Sequence, residues 1–205
     1  KPWDRTQIPF RKFNVYLPFV PSRKEVLTFI SSLEDPKARL AVSILYATGL
    51  RLDELCHLKC KDIISSSKKI HVSDSKNHQD RFVPMPDMIW QMILSYYHGL
   101  PVEMKPDTWL FTQQRSTCHP MDKQWLQKFI LEHRSALGMS DKLTSHSFRH
   151  AYATHSYENG MDLLTLKTFL GHKSLNSTAI YVHLAASSLS KTVNPFEQIG
   201  GGFLG

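Results

Sequence analysis

Over most of its length the chain repeats apolar residues at three- and four-residue intervals, and in one block, from Asp62 to Pro86, it switches to short alternating runs. That change of period limits the fold to helices built around one small sheet. PSRKEVLTFISSL sets Ser22 three residues before Glu25, the capping-box spacing, and puts Val26, Leu27 and Ile30 on a helical period. PKARLAVSILYATG opens with Pro36 near a first turn and closes on Gly49, and the short helix RLDELCHL follows at once. DII, KKIHVSD and RFVPMP read as strands joined by the polar turns SSSK and SKNHQD. PDMIWQMILSYYHG returns to helix, WLFT suggests one further strand, and MDKQWLQKFILEHRSALG is a longer amphipathic helix. A helix from Ser145 to Asn159, capped by the serine and stopped by Gly160, precedes two shorter ones. The fold class is therefore mainly α with a small antiparallel β-sheet, an α+β arrangement.

Composition narrows the function. A chain of 205 residues forms one domain and buries about 70% of its unfolded surface. Its 41% hydrophobic and 21% charged residues fit the soluble globular class. With no apolar run of membrane-spanning length and no signal-peptide h-region at KPWDRTQIPF, a cytoplasmic location is expected and no membrane partner. Twenty-five Lys and Arg against 18 Asp and Glu leave a net charge of +7, which favours a polyanionic partner without specifying it. Three cysteines in such a chain do not suggest a disulfide framework. Cys56 and Cys60, four apart and so on one helix face, could form half a zinc site. No second pair accompanies them, and packing as small apolar side chains is the expectation, with no metal and no cofactor. No P-loop pattern and no carboxylate cluster for a two-metal displacement is present.

The segment TSHSFRHAYATHSYENGMDLLTLKTFLGHKSLNSTAIYVHL, residues 144 to 184, carries the chemistry. His146 and Arg149 are three apart and share a helix face, which offers a proton carrier and a guanidinium fork to one small volume. Arg51, directly after the Gly49 helix stop, sits at a positive helix start, a poor place for a cation unless an anion joins it or Glu54 pairs with it. Lys76 lies at the tip of a polar turn, where lysines are commonly only solvated but where mobility could deliver a proton. Tyr181 is either a packed core tyrosine or a nucleophile. In the second role its phenol, with a reference pKa of about 10, needs a cationic surround and a base.

These residues carry a resemblance. YATGLRLDELCHLKCKDI, residues 46 to 63, resembles the first box of the tyrosine recombinases, the phage integrase family; H..R, LGH and T..Y across residues 146 to 183 resemble its second box, and SKNHQDRFVPMP its lysine-bearing hairpin. The likeness spans roughly residues 20 to 184. It implies that Tyr181 attacks a scissile phosphate to give a 3′-phosphotyrosyl bond and that Lys76 protonates the released 5′-hydroxyl. Arg51 and Arg149 would clamp the non-bridging oxygens, His146 would assist proton transfer around Tyr181, His172 would bond the phosphate, and Glu54 would orient Arg51. His150, His155 and His183 receive no role beyond structural or DNA-backbone contacts.

The resemblance also implies residues 1–20 as an interdomain linker, 21–184 as the catalytic domain and 185–205 as a tail able to dock on a neighbouring subunit. An upstream DNA-clamping domain would be missing, so weak DNA binding is expected of this chain alone. The implied partners are a double-stranded DNA recombination site, further copies of the chain in a homo-oligomer on DNA, a tetramer, and accessory DNA-bending proteins, in a prokaryotic, nucleoid-associated setting such as a mobile element. Two other readings stay open: a type IB topoisomerase-like DNA-relaxing enzyme, and a DNA-binding relative that keeps the fold without the chemistry.

Overall fold

The Ser22 hydroxyl accepts from the Glu25 N–H, and the Glu25 carboxylate accepts from the Ser22 N–H at 2.7 Å, so the expected capping box starts α1, Arg23–Ser31. The computed structural model describes residues 17–73, 80–113 and 116–185. All of the expected tail except Ala185, and residues 1–16 of the expected linker, lie outside them. Asp35 caps α2, Pro36–Thr48, by accepting from the Ala38 N–H, with Pro36 in the first turn as expected.

Helix α2 is buried on almost every face, which suits a central element packed by neighbours on all sides. Its end at Gly49 has φ +65°, and a Cβ there would collide with the Tyr152 ring. Glycine is therefore required twice over, by conformation and by space. The short helix α3, Leu52–Cys56, follows directly.

The expected sheet is three-stranded and antiparallel in the order β1 (Ile63–Ile64), β2 (Lys69–Val72), β3 (Arg81–Pro84). Ile70 stands opposite Val83 and Val72 opposite Arg81. In β3 the burial alternates, with Arg81 and Val83 buried and Phe82 and Pro84 exposed, so Arg81 occupies a core-facing position.

Helix α4 covers Asp87–Gly99. The WLFT strand is displaced: Trp109 makes a single bridge to Lys59, and a second sheet forms from β4, Thr112–Gln113, and β5, Ser116–Pro120. STCHP has no apolar alternation, so backbone pairing alone makes it a strand. Asp122 caps α5, Lys123–Ala136, by accepting from the Gln124 N–H.

Helix α6, Ser145–Glu158, starts one residue earlier in capping terms than expected: Thr144 is the extended cap residue, its N–H donating to Ser147 Oγ at 3.0 Å, while Ser145 is already helical. Asp162 caps α7, Leu163–Leu170, which ends on Gly171 at φ +62°, and α8 runs Asn176–Ala185. Among the described residues no helix is long and apolar enough to cross a membrane.

A main core formed by Phe29, Ile44, Leu45, Phe111, Leu126 and Phe148 joins α1, α2, α5 and α6. A smaller one, Tyr152, Ala153, Leu166, Leu170 and Tyr181, ties α7 and α8 to α6. The zinc-type pairing dissolves here: α3 ends at Cys56, which is buried, whereas Cys60 opens a separate 3₁₀ turn and donates to Pro106 O, so the two thiols share no helix face.

Candidate active site

The C-terminal ends of α2 and α7 meet, and their unpaired carbonyls collect guanidinium groups. Arg149, on α6 and 2% exposed, donates from Nη1 to Gly49 O and from Nη2 to Leu170 O at 2.6 Å. Arg51 donates from Nη2 to Gly171 O at 3.0 Å and from Nη1 to Glu54 Oε1 at 2.7 Å. Arg81 donates from Nε to Phe169 O at 2.8 Å and places both terminal nitrogens on Glu54, Nη1 on Oε1 at 3.0 Å and Nη2 on Oε2 at 2.7 Å. Glu54 Oε2 also accepts from the Arg51 N–H at 2.8 Å.

One carboxylate thus holds two arginines and a helix start. Burial pushes the Glu54 pKa up, but hydrogen bonds and charge from Arg81 and Arg51 outweigh it and leave the group below its usual value. Arg149 is lowered to about 10, by burial first and then by the Arg51 charge, and stays cationic at neutral pH.

Tyr181, on α8, is 2% exposed. Its hydroxyl lies 3.1 Å from His150 Nδ1, and its ring stacks on His172 at 6.4 Å with 13° between planes. His172 is fixed in turn by Thr178 Oγ1, 3.0 Å from its Nδ1. Burial raises the Tyr181 phenol and Arg149 partly offsets it. His150 and His172 are both pushed down to about 4, by burial first, then by His146 and Arg149 for His150 and by the three arginines for His172. The more exposed His146 is also lowered, by partial desolvation and by Arg149 and Arg51. At neutral pH the cluster therefore holds neutral imidazoles, a protonated phenol and charged guanidiniums.

Of the residues singled out from sequence, Arg51, Glu54, His146, Arg149, His172 and Tyr181 converge here from three helices, α3 with its cap, α6 and α8, and from the α7–α8 turn. Lys76 lies in 74–79, outside the described residues. The hairpin that carries it is clasped at its base by His71 Nε2, 3.0 Å from Asp80 Oδ2. Arg51 and Glu54 pair at i,i+3 as their spacing suggests, although Arg81 shares the carboxylate.

Two residues without an assigned role belong to the cluster. Arg81 had a legible signal, a charge in phase with the core-facing Val83 of its strand. His150 had a partial one, four residues after His146 and so on the same helix face, but its contact to Tyr181 depends on where α8 docks. His155 lies elsewhere, with its Nδ1 3.1 Å from Tyr46 Oη, and His183 is exposed. An open groove of about 660 Å³ adjoins Arg51, its wall carrying Lys59, Trp109 and Lys123 beside Asp53 and Asp62. Among the described residues no group of three or more His, Cys, Asp or Glu side chains could hold a metal ion.

A helical domain of this topology with small antiparallel sheets is the catalytic-domain fold of tyrosine recombinases. Residues 22–188 match the phage integrase family, and the chain belongs to that family. Tyrosine recombinase XerA from Pyrococcus furiosus is 32% identical over 192 residues, which cover 91% of this chain and 65% of that protein. The crystal structure of XerA recombinase superimposes with a TM-score of 0.76 at 31% identity, covering 89% of this chain and 65% of that one. XerH site-specific recombinase, in a post-cleavage complex with a palindromic difH substrate, gives a TM-score of 0.71 at 25% identity, covering 89% of this chain and 54% of that one. The chain thus spans about two thirds or less of the length of these relatives.

Proposed function

We propose that this chain is the catalytic domain, residues 21–184, of a site-specific recombinase that cleaves and rejoins double-stranded DNA through Tyr181, without metal or ATP. The observation that carries the reading is the convergence of Arg81, Arg149 and Arg51, from three separate elements, on the carbonyls of Phe169, Leu170 and Gly171, directly before the His172 ring that stacks on Tyr181. The Tyr181 oxygen attacks the scissile phosphorus, a 3′-phosphotyrosyl bond forms, and the bond to the 5′-oxygen breaks. Lys76 supplies the proton to that leaving oxygen. Arg51 and Arg149 bind the non-bridging oxygens, His172 donates to the phosphate, His146 assists proton movement near Tyr181, and Glu54 orients Arg51.

Donors set in place before charge develops are commonly the largest catalytic term, one lost donor costing roughly 100- to 1,000-fold. Attack by the freed 5′-hydroxyl on the phosphotyrosyl bond reverses the step, so strand exchange needs no added energy source. The similarity to XerH, solved on its difH substrate, supports a recombination site as the DNA partner. Assembly as a tetramer on DNA, with the 185–205 tail exchanged between subunits and DNA-bending proteins assisting, belongs to the same proposal, as does a place in the prokaryotic cytoplasm at the nucleoid.

The test is covalent capture. The protein is incubated in EDTA with a random-sequence library of nicked duplexes, denatured, and the protein-linked DNA is recovered and sequenced. The expected outcome is a DNA adduct that disappears in Tyr181→Phe, with recovered sequences sharing a motif. An adduct that persists in Tyr181→Phe, or none from the native chain, would overturn the assignment.

A further inference from the structure

The reaction needs a group to take the phenol proton as the Tyr181 oxygen attacks, and we infer that His150 is that group, a catalytic residue accepting the proton directly at Nδ1. The inference deepens the recombinase reading and rests on it. Geometry comes first: Nδ1 of His150 lies 3.1 Å from Tyr181 Oη, within the reach required of a general base. The contact joins residues 31 apart in sequence, and Tyr181 is 2% exposed, so water has little access to compete for the proton.

The direction of the bond follows from its neighbours. His146 packs edge-on against His150 with centroids 4.5 Å apart, Arg149 adjoins it on α6, and Tyr181 faces it from α8. A second proton on His150 would place a cation beside Arg149, so the ring is neutral. Of a neutral phenol and a neutral imidazole, the phenol is the stronger acid. The O–H therefore donates, Nδ1 is the bare nitrogen, and the ring's own proton sits on Nε2.

His172 also touches the tyrosine, but through ring stacking, and its Nδ1 is engaged by Thr178. His146 meets His150, with ring centroids 4.5 Å apart, and it is His150 that holds the bond to the Tyr181 hydroxyl.

The step balances. The O–H proton of Tyr181 moves to His150 Nδ1, the phenolate electron pair forms the new O–P bond, and the P–O5′ bond breaks with its pair leaving on the 5′-oxygen, which Lys76 protonates. In the reverse step the imidazolium of His150 returns its proton to the departing phenol oxygen.

The experiment varies the acidity of the nucleophile. Rates of adduct formation are measured on captured, nicked duplex for the native chain and His150→Gln, each with tyrosine or with 3,5-difluorotyrosine, a more acidic phenol, installed at 181. With tyrosine, His150→Gln slows adduct formation by about 100-fold or more, the range expected for a lost general base. With difluorotyrosine the same substitution slows it by less than about 10-fold, because a readily ionised phenol needs the base less.

An equal loss in both backgrounds would mean that His150 only packs against the tyrosine and would overturn the inference. A rate unchanged or faster in His150→Gln with tyrosine would overturn it too, showing that the bond restrains the phenol. Both results leave the recombinase reading standing, whereas absence of any adduct from the native chain removes both. Should His150→Gln fail to fold, nitrogen-15 NMR of the native chain at neutral pH decides: a bare Nδ1 and protonated Nε2 at His150 are expected, and a proton on Nδ1 overturns the inference.

Discussion

Replacing Glu54 with alanine removes the acceptor of four donors at once: Nη1 of Arg51, both terminal nitrogens of Arg81, and the Arg51 N–H. The loss is dominated by Arg81, whose side chain is 6% exposed and keeps only Phe169 O, while Arg51 at 38% exposed recovers most of its hydration. Removing one partner of a buried ion pair costs about 3–5 kcal/mol. At about 2–4 °C per kcal/mol for a chain of this size, Tm falls by roughly 6–20 °C. A companion variant, Glu54→Leu with Arg81→Met, removes both charges; apolar replacement of a buried pair is often neutral, so most of the stability returns. Catalysis does not return with it, because Arg51 then has Gly171 O alone to aim its fork. Thermal and urea unfolding of the two variants, with adduct formation measured alongside, checks the reasoning. A Glu54→Ala chain within about 1 kcal/mol of native, or a double variant as unstable as the single, would refute it.

Gly49→Ala puts a Cβ against the Tyr152 ring at φ +65°, and combined strain and overpacking lower stability by about 2–4 kcal/mol, read as a drop in the urea midpoint with m unchanged. Acid destabilises the fold through its histidines. His150 and His172 bind protons in the folded state only near pH 4, against an ordinary 6.5. The unfolded chain is therefore the better proton binder between those values: stability is whole above about pH 6.5 and falls as pH drops toward about 4. Urea midpoints measured across that interval should fall steadily, and a flat profile would contradict the burial of these rings.

The parts of the fold written in local chemistry were legible. The Ser22–Glu25 box, Pro36 and Gly49 at the ends of α2, and the alternation of KKIHV and RFVP each fix a boundary or a face by themselves. Where two adjacent residues could both cap, as at Thr144 and Ser145, sequence alone chose the wrong one, since the chain's approach into α6 decides. Strand β5 was invisible because its side chains are not sorted into two faces. In the site, spacing exposed the His146–Arg149 and Arg51–Glu54 pairs, and the likeness to a known family supplied Tyr181 and His172. Arg81 could have been found from the phase of its strand. Spacing from His146 puts His150 on the same helix face, but its bond to the tyrosine could not be found, since that is set by the packing of α8 against α6 through Tyr152, Leu166 and Leu170.

What the arginines bond to explains how cations can gather here before any phosphate arrives. Their acceptors are the carbonyls of Gly49, Phe169, Leu170 and Gly171, the last turns of α2 and α7, where backbone dipoles leave partial negative charge. A helix end favours a cation by about 0.3–1 kcal/mol when exposed and up to about 2 when partly buried, so two converging ends and one carboxylate can hold three guanidiniums without neutralising them. Three positive charges against the single charge of Glu54 leave two in excess. Both glycines then acquire a second purpose. By ending α2 and α7 abruptly, Gly49 and Gly171 leave free the carbonyls on which Arg149 and Arg51 are fixed, and a site rigid in this way needs little reorganisation when charge builds on a phosphate oxygen.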